Sequence, residues 1–201
     1  MYDKDMQLTK KGEYALRMLI RLGVARRMGR DVVSVSALAE SEKLPFKFLE
    51  QILALLRQEG YVESRRGKQG GAMLARPMDE IKIGDVVRLI DGRLAPIGCA
   101  SETDYEKCTC PDETHCGLRM LMIDVRNAIS RILDRYTLAD VVGVTIRKME
   151  RDGVVVPFAA PVAGKVKAKS PHPSKKAGKP PRRADPEDGF LNWLLSKPLN
   201  N

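Results

Sequence analysis

The chain has four cysteines, Cys99, Cys108, Cys110 and Cys116, all within eighteen residues. The segments between them, Ala100 to Lys107 and Pro111 to His115, are polar and rich in turn-forming residues. They predict an exposed loop rather than core. Thiols gathered on such a loop meet a metal, a cluster or an oxidant. The sequence shows no leader-like segment and no apolar run near membrane-spanning length. It therefore predicts a cytoplasmic protein without a membrane partner, in which close cysteines favour metal over disulfide. Structural zinc sites offer two pairs of ligands spaced by two to four residues. Here Cys108 and Cys110 are separated by one residue and the other two stand apart, which disfavours zinc. No nucleophile–base–orienter set and no cofactor fingerprint accompany the cysteines, so an enzyme with a small-molecule substrate is not expected.

The elements that must position this loop are mainly helical. Residues 9 to 28 read as an amphipathic helix with Ala15, Met18, Leu19, Leu22 and Ala25 on the buried face and Thr9 as the cap. A short helix follows from about Ser36, burying Leu38 and Ala39. Lys43-Leu44-Pro45 makes a turn, with Pro45 suited to the first position of the next helix. That helix, roughly 45 to 58, is expected to bury Phe48, Ile52, Leu55 and Leu56 and to expose Lys47, Glu50, Gln51 and Arg57. Tyr61-Val62 and Ala72-Met73-Leu74 read as two short strands around a glycine-rich tip. A helix over 83–91 presents Val86, Val87 and Ile90. Beyond the cysteines, Leu118, Leu121, Met122, Val125, Ile129, Ile132 and Leu133 mark one long helix to about Arg135. Another helix is expected from Thr137 to Arg151.

The formal charge is +9, but residues 165 to 183 hold eight Lys or Arg and no acid, and without them 27 basic residues face 26 acidic ones. Nucleic-acid affinity in the folded part must then come from local patches rather than bulk charge. Seven of the twelve prolines lie between Pro157 and Pro186, so a Pro/Lys-rich tail over 157–201 is expected to be disordered and to grip DNA without sequence preference. There is no internal repeat.

Helix, short helix, turn, helix and two-stranded hairpin is the order of a winged helix-turn-helix. The expected fold is mainly α, with a long dimerisation helix and a disordered basic C-terminal tail. Residues 6–91 form the DNA-binding domain, 92–116 the cysteine loop and 117–151 the dimerisation helices. The helix after Pro45 suits the major groove. Gln51 can bond adenine, Glu50 can accept from cytosine, and Lys47 suits a phosphate. Arg65, Arg66 and Lys68 at the hairpin tip can enter a minor groove or grip its backbone. The heptad-like stripe from Leu118 to Ile132 needs a partner helix, which a second copy would supply. The alternative is a helical bundle whose charges are a solvated face.

Four ordered motifs resemble the IscR/NsrR/RirA family of iron–sulfur-dependent winged-helix regulators. Leu-Thr-Lys-Lys-Gly-Glu-Tyr-Ala-Leu-Arg (8–17) is similar to its N-terminal signature, and Phe-Leu-Glu-Gln-Ile-Leu (48–53) to its recognition helix. Arg-Gly-Lys-Gln-Gly-Gly-Ala-Met-Leu-Ala (66–75) resembles its wing, and the cysteines follow where the family holds its cluster. The resemblance covers about residues 6 to 150. It implies a homodimeric regulator, as a repressor, that binds a partly palindromic double-stranded operator and senses nitric oxide, redox or iron–sulfur status. It implies a 2Fe-2S or 4Fe-4S cluster, and it assigns DNA contacts to Glu50, Gln51 and Arg66. Of its three cysteine ligands, Cys110 and Cys116 match the five-residue spacing of the last two, and Cys99 supplies the first. Cys108 is then a fourth ligand, a replacement for Cys110 or a nearby redox thiol. Arg119 stands where the IscR branch has a histidine. In nitric-oxide- and redox-sensing relatives an acidic residue of the first helix completes the set, a place held here by Glu13. His115 is the competing candidate. The rival reading is a cluster-free or zinc-containing DNA-binding adaptor tuned by a partner protein.

Overall fold

Helix α1 (Lys10–Arg27) is the central element, packed against α2 (Val35–Glu42), α3 (Phe46–Gln58), α4 (Ile83–Asp91) and α6 (Leu138–Arg151). The computed structural model describes residues 8–67, 69–92 and 94–158. Lys68 and the tail from residue 159 lie outside the described residues. The five apolar positions that the sequence assigns to the buried face of α1 are all buried. Thr9 caps the helix as expected, its hydroxyl accepting from the Gly12 amide at 3.1 Å, an arrangement that stabilises a helix by about 1 kcal/mol.

Helix α2 begins one residue earlier than expected, because Ser34 is its cap and accepts from the Ala37 amide at 3.2 Å. Lys43 ends it in the left-handed conformation at φ 54°. Pro45 is the residue before α3 rather than its first residue, and its carbonyl accepts from the amides of Phe48 and Leu49, both at 3.1 Å. The buried stripe of α3 is Leu49, Ile52, Leu53 and Leu56, whereas Phe48 and Leu55 are only half-buried. Phe48 leans sideways onto Tyr14 of α1, ring edge to ring face at 5.7 Å, which explains its partial exposure. The spacing of the buried four is i, i+3, i+4, i+7, the period of a core-facing helix.

Strands β1 (Val62–Arg65) and β2 (Gly71–Leu74) pair antiparallel, with Val62 opposite Leu74 and Arg65 opposite Gly71. Each is longer than the apolar residues suggested, since Glu63, Ser64 and Arg65 project to solvent. Val33 adds a bridge to Ala72, with N–H···O bonds of 3.0 and 2.8 Å. This bridge explains Gly71: a Cβ there would collide with the Val33 carbonyl oxygen. Of the glycines at 67, 70 and 71, Gly67 alone needs positive φ, at 105°. The hairpin is therefore built partly on turn geometry and partly on close backbone approach.

After α4, a 3-10 turn (Gly98–Ala100) carries Cys99 and leads into the cysteine loop. Helix α5 (Gly117–Arg135) then runs nineteen residues without burying one of them, and Leu118, Met120, Leu121 and Ile132 are more than half exposed. By contrast α6 is anchored. Its capping box joins Thr137 to Asp140, and Leu138, Val142 and Val144 are buried. The chain continues past α6 to lay Val156 and Phe158 against the core. Among the described residues no helix is long and apolar enough to cross a membrane.

Candidate DNA interface and cysteine loop

The solvent face of α3 is formed by Phe46, Lys47, Glu50, Gln51, Ala54 and Arg57, all exposed. The structure thus brings together the three side chains proposed from sequence to meet DNA and adds Phe46 in front of them. Arg65 and Arg66 are exposed at the end of β1 and the start of the turn. Arg57 links the two parts, its Nη1 donating to the Ser64 hydroxyl at 3.2 Å. The hairpin is therefore tied to the last turn of α3.

Glu42 orients α2 on α1. Its carboxylate is 6% exposed and accepts from Arg17 Nε at 2.6 Å and from Arg21 Nε, while Arg17 Nη2 donates to its backbone carbonyl at 3.1 Å. A buried carboxylate needs such partners to offset its lost hydration. Its sequence signal was faint, a Glu at the end of a short helix with no partner identifiable from spacing.

The four cysteines are unpaired thiols in one neighbourhood. Cys99 lies next to Cys108, Cys108 next to Cys110, and Cys110 next to Cys116. Cys99, Ala100 and Ser101 are buried, unlike the exposed loop expected from Ala100 on, because the 3-10 turn packs against α5; Cys110 is exposed and the other two cysteines are half-buried. Burial, followed by the proximity of Cys108, pushes the Cys99 thiol up. A hydrogen bond and then charge repulsion from Cys108 push Cys110 up to about 11.

Glu113 is the residue that sequence reasoning missed. Its two oxygens each accept from the Tyr105 hydroxyl at 2.9 Å, Oε2 faces Cys108 Sγ at 3.7 Å, and Oε1 pairs with Arg119 Nε at 3.3 Å. Arg119 also donates to the Cys99 carbonyl at 3.0 Å, and Arg126, seven residues further along α5, donates to the Ala100 carbonyl at 2.7 Å. Two arginines on one face of α5 thus hold the turn that carries Cys99. His115 pairs instead with Asp112, Nδ1 to Oδ2 at 2.8 Å. Glu13 lies in α1, paired with Lys10 at 2.8 Å and Arg17 at 3.4 Å.

Polar contacts continue from α5 toward the DNA-facing unit. Arg88 of α4 holds Asp134 of α5 through two bonds of 2.5 and 3.2 Å. Asp91, the last residue of α4 and three positions after Arg88, accepts from the Thr9 amide at 3.1 Å and from the Thr9 hydroxyl. Gly12 leaves room for that carboxylate, since a Cβ there would lie 2.6 Å from Asp91 Oδ1.

The donor chemistry fits a thiolate-held iron–sulfur cluster: three or four neighbouring sulfurs at the head of one helix.

A helix-turn-helix with an exposed polar recognition face and a β-wing defines the winged-helix class of transcriptional regulators. More narrowly, the chain belongs to the Rrf2 family, described as iron-dependent transcriptional regulators, which it matches over residues 8–143. It is 36% identical over 135 residues to an rrf2-like HTH-type transcriptional regulator of Rhodobacter capsulatus, spanning 66% of this chain and 90% of the relative. The structure of CymR (YrzC), the global cysteine regulator of B. subtilis, aligns with a TM-score of 0.55 at 30% identity, covering 68% of this chain and 96% of that one. T. potens IscR aligns with a TM-score of 0.54 at 28% identity, covering 74% and 92%. The family places the protein among transcriptional regulators rather than enzymes.

Proposed function

We propose that this chain is a homodimeric cytoplasmic repressor whose affinity for a partly palindromic DNA operator is set by an iron–sulfur cluster. The observation that carries this reading is the junction of the cysteine loop with α5. Arg119 and Arg126 hold the Cys99–Ala100 turn, which adjoins the other three thiols, to the helix, and that helix has an unburied apolar face. Cys99, Cys110 and Cys116 would hold the cluster. Cys108, Glu13 of a second subunit and His115 are the candidates for the remaining place. Bound there, a cluster supplies a centre that reacts with nitric oxide or oxidants and is lost when iron is scarce.

The rest is done by the protein. Lys47, Glu50 and Gln51 enter the major groove, while Arg65, Arg66 and Lys68 grip the flanking backbone or minor groove. In a dimer the two α3 helices must match half-sites about one helical turn apart. The contacts Arg119–Cys99, Arg88–Asp134 and Asp91–Thr9 link the loop to α1, on which α3 packs. A change in the loop can therefore alter the spacing of the recognition helices. The signal is nitric oxide, redox or iron–sulfur status.

A second reading is a cluster-free regulator, favoured by the likeness to CymR, whose description names cysteine rather than iron. One comparison separates the two. The Cys99→Ala/Cys110→Ala/Cys116→Ala variant and the native protein are titrated anaerobically with a duplex selected by the native protein from a random library. A tenfold or larger difference in Kd, with the response to nitric oxide lost in the variant, supports cluster control. Equal affinity and equal response support the cluster-free reading.

A further inference from the structure

Phe46 opens α3 with 46% of its surface exposed. It belongs neither to the buried core nor to the half-buried residues packed against it. Phe48, two positions on, is half-buried against Tyr14, so the two phenylalanines of this turn have different fates. Phe46 shares the solvent face with Lys47, Glu50, Gln51 and Ala54. Positions four apart form one row on a helix, which aligns Phe46, Glu50 and Ala54. Ala54 adds only a methyl group, so the helix can approach a surface closely behind Glu50, with the Phe46 ring at its leading end.

Resting on the DNA-binding reading above, we propose that Phe46 is a specificity residue that packs its ring on the C5-methyl group of a thymine in the major groove. The polar members of the face can bond to base edges or phosphates. A phenyl ring can bond to neither, and the thymine methyl is the apolar feature that the major groove offers. Four residues of helix advance about 6 Å, or one to two base steps at about 3.4 Å each. The thymine therefore lies one or two pairs from the base that Glu50 contacts.

The test uses the full-length protein and a duplex that it selects from a random double-stranded library. Each thymine of the selected half-site is replaced in turn by deoxyuridine, which removes the methyl and nothing else. Kd is measured at fixed salt for the native protein, Phe46→Ala and Phe46→Leu, with thermal melting as the control for folding. One replacement is expected to weaken native binding about fourfold, the worth of one buried methyl. Phe46→Ala is expected to bind the thymine and deoxyuridine duplexes equally, while Phe46→Leu keeps part of the preference. The inference is overturned if no replacement weakens native binding, or if Phe46→Ala retains the native preference at the sensitive position. Failure to enrich any duplex would overturn the DNA-binding reading itself, and a phenylalanine packed on sugar or phosphate would show as a Phe46→Ala loss independent of the methyl.

Discussion

Arg119 of α5 donates its Nε hydrogen to the backbone carbonyl of Cys99, twenty residues earlier in the chain, at 3.0 Å. The same nitrogen faces Glu113, 3.3 Å away, and Glu113 in turn meets Tyr105 and Cys108. One side chain therefore holds the only buried thiol and the loop that carries the others. Replacing it should loosen this segment without disturbing the core.

Arg119→Ala is predicted to speed iodoacetamide labelling of Cys99 in the metal-free protein about fivefold, as expected for losing one hydrogen bond of about 1 kcal/mol. Labelling of exposed Cys110 should change less. Mass spectrometry of timed samples reads both rates, and equal acceleration at the two sites would mean global rather than local opening.

Glu42 gives a stability prediction. Removing its carboxylate leaves Arg17 and Arg21 without their shared acceptor, but both are partly exposed, at 38% and 23% of the side chain, and can rehydrate. Glu42→Ala is expected to destabilise the protein by about 1.5–3 kcal/mol, and Glu42→Gln by less, since an amide oxygen still accepts. Urea unfolding measures both, and equal losses would show that the arginines do not depend on an acceptor there.

The face of α5 predicts assembly. Leu121 and Ile132 are 55% and 54% exposed, and eleven residues separate them along one stripe. Leu121→Arg combined with Ile132→Arg should convert a dimer to a monomer in sedimentation, with helical content largely kept. A native chain that sediments as a monomer at tens of micromolar would remove the basis for this prediction.

On DNA the two kinds of contact should separate. Lys47→Ala is expected to weaken binding to all duplexes alike and to lower the salt slope by about 1. Gln51→Ala should leave that slope unchanged and relax the preference at one base pair, at a cost of about 1–3 kcal/mol on the selected site. Salt titrations of both variants on selected and scrambled duplexes distinguish the roles.

The order of the helices and the hairpin was legible because each rests on local signals. Thr9 is a cap, Lys43-Leu44-Pro45 is a turn, and the apolar spacing of α1 and α5 has a clear helical period. Side-chain placement within α3 was less legible. Two aromatic residues and five leucines or isoleucines compete for one stripe, and only tertiary packing on Tyr14 decides that Phe48 is half-buried while Leu49 and Leu53 are buried. The cysteines were visible as a group, yet their surroundings were not. Glu113, Tyr105 and Arg119 meet through a loop with no periodicity, and Glu42 finds its arginines across more than twenty residues of sequence. Gly71 was readable as a turn residue, but its true constraint is the carbonyl of Val33, which no local pattern encodes.

The central claim is that the cysteine loop holds an iron–sulfur cluster through Cys99, Cys110 and Cys116. The most direct measurement is anaerobic purification of the native chain, with iron, acid-labile sulfide, zinc and visible absorption determined on one sample. The account predicts iron and sulfide in equal amounts, two or four of each per chain, with sulfide-to-iron charge-transfer absorption that is absent from the triple cysteine variant. A colourless protein that stays free of iron after anaerobic reconstitution, whether empty or holding zinc, would contradict it.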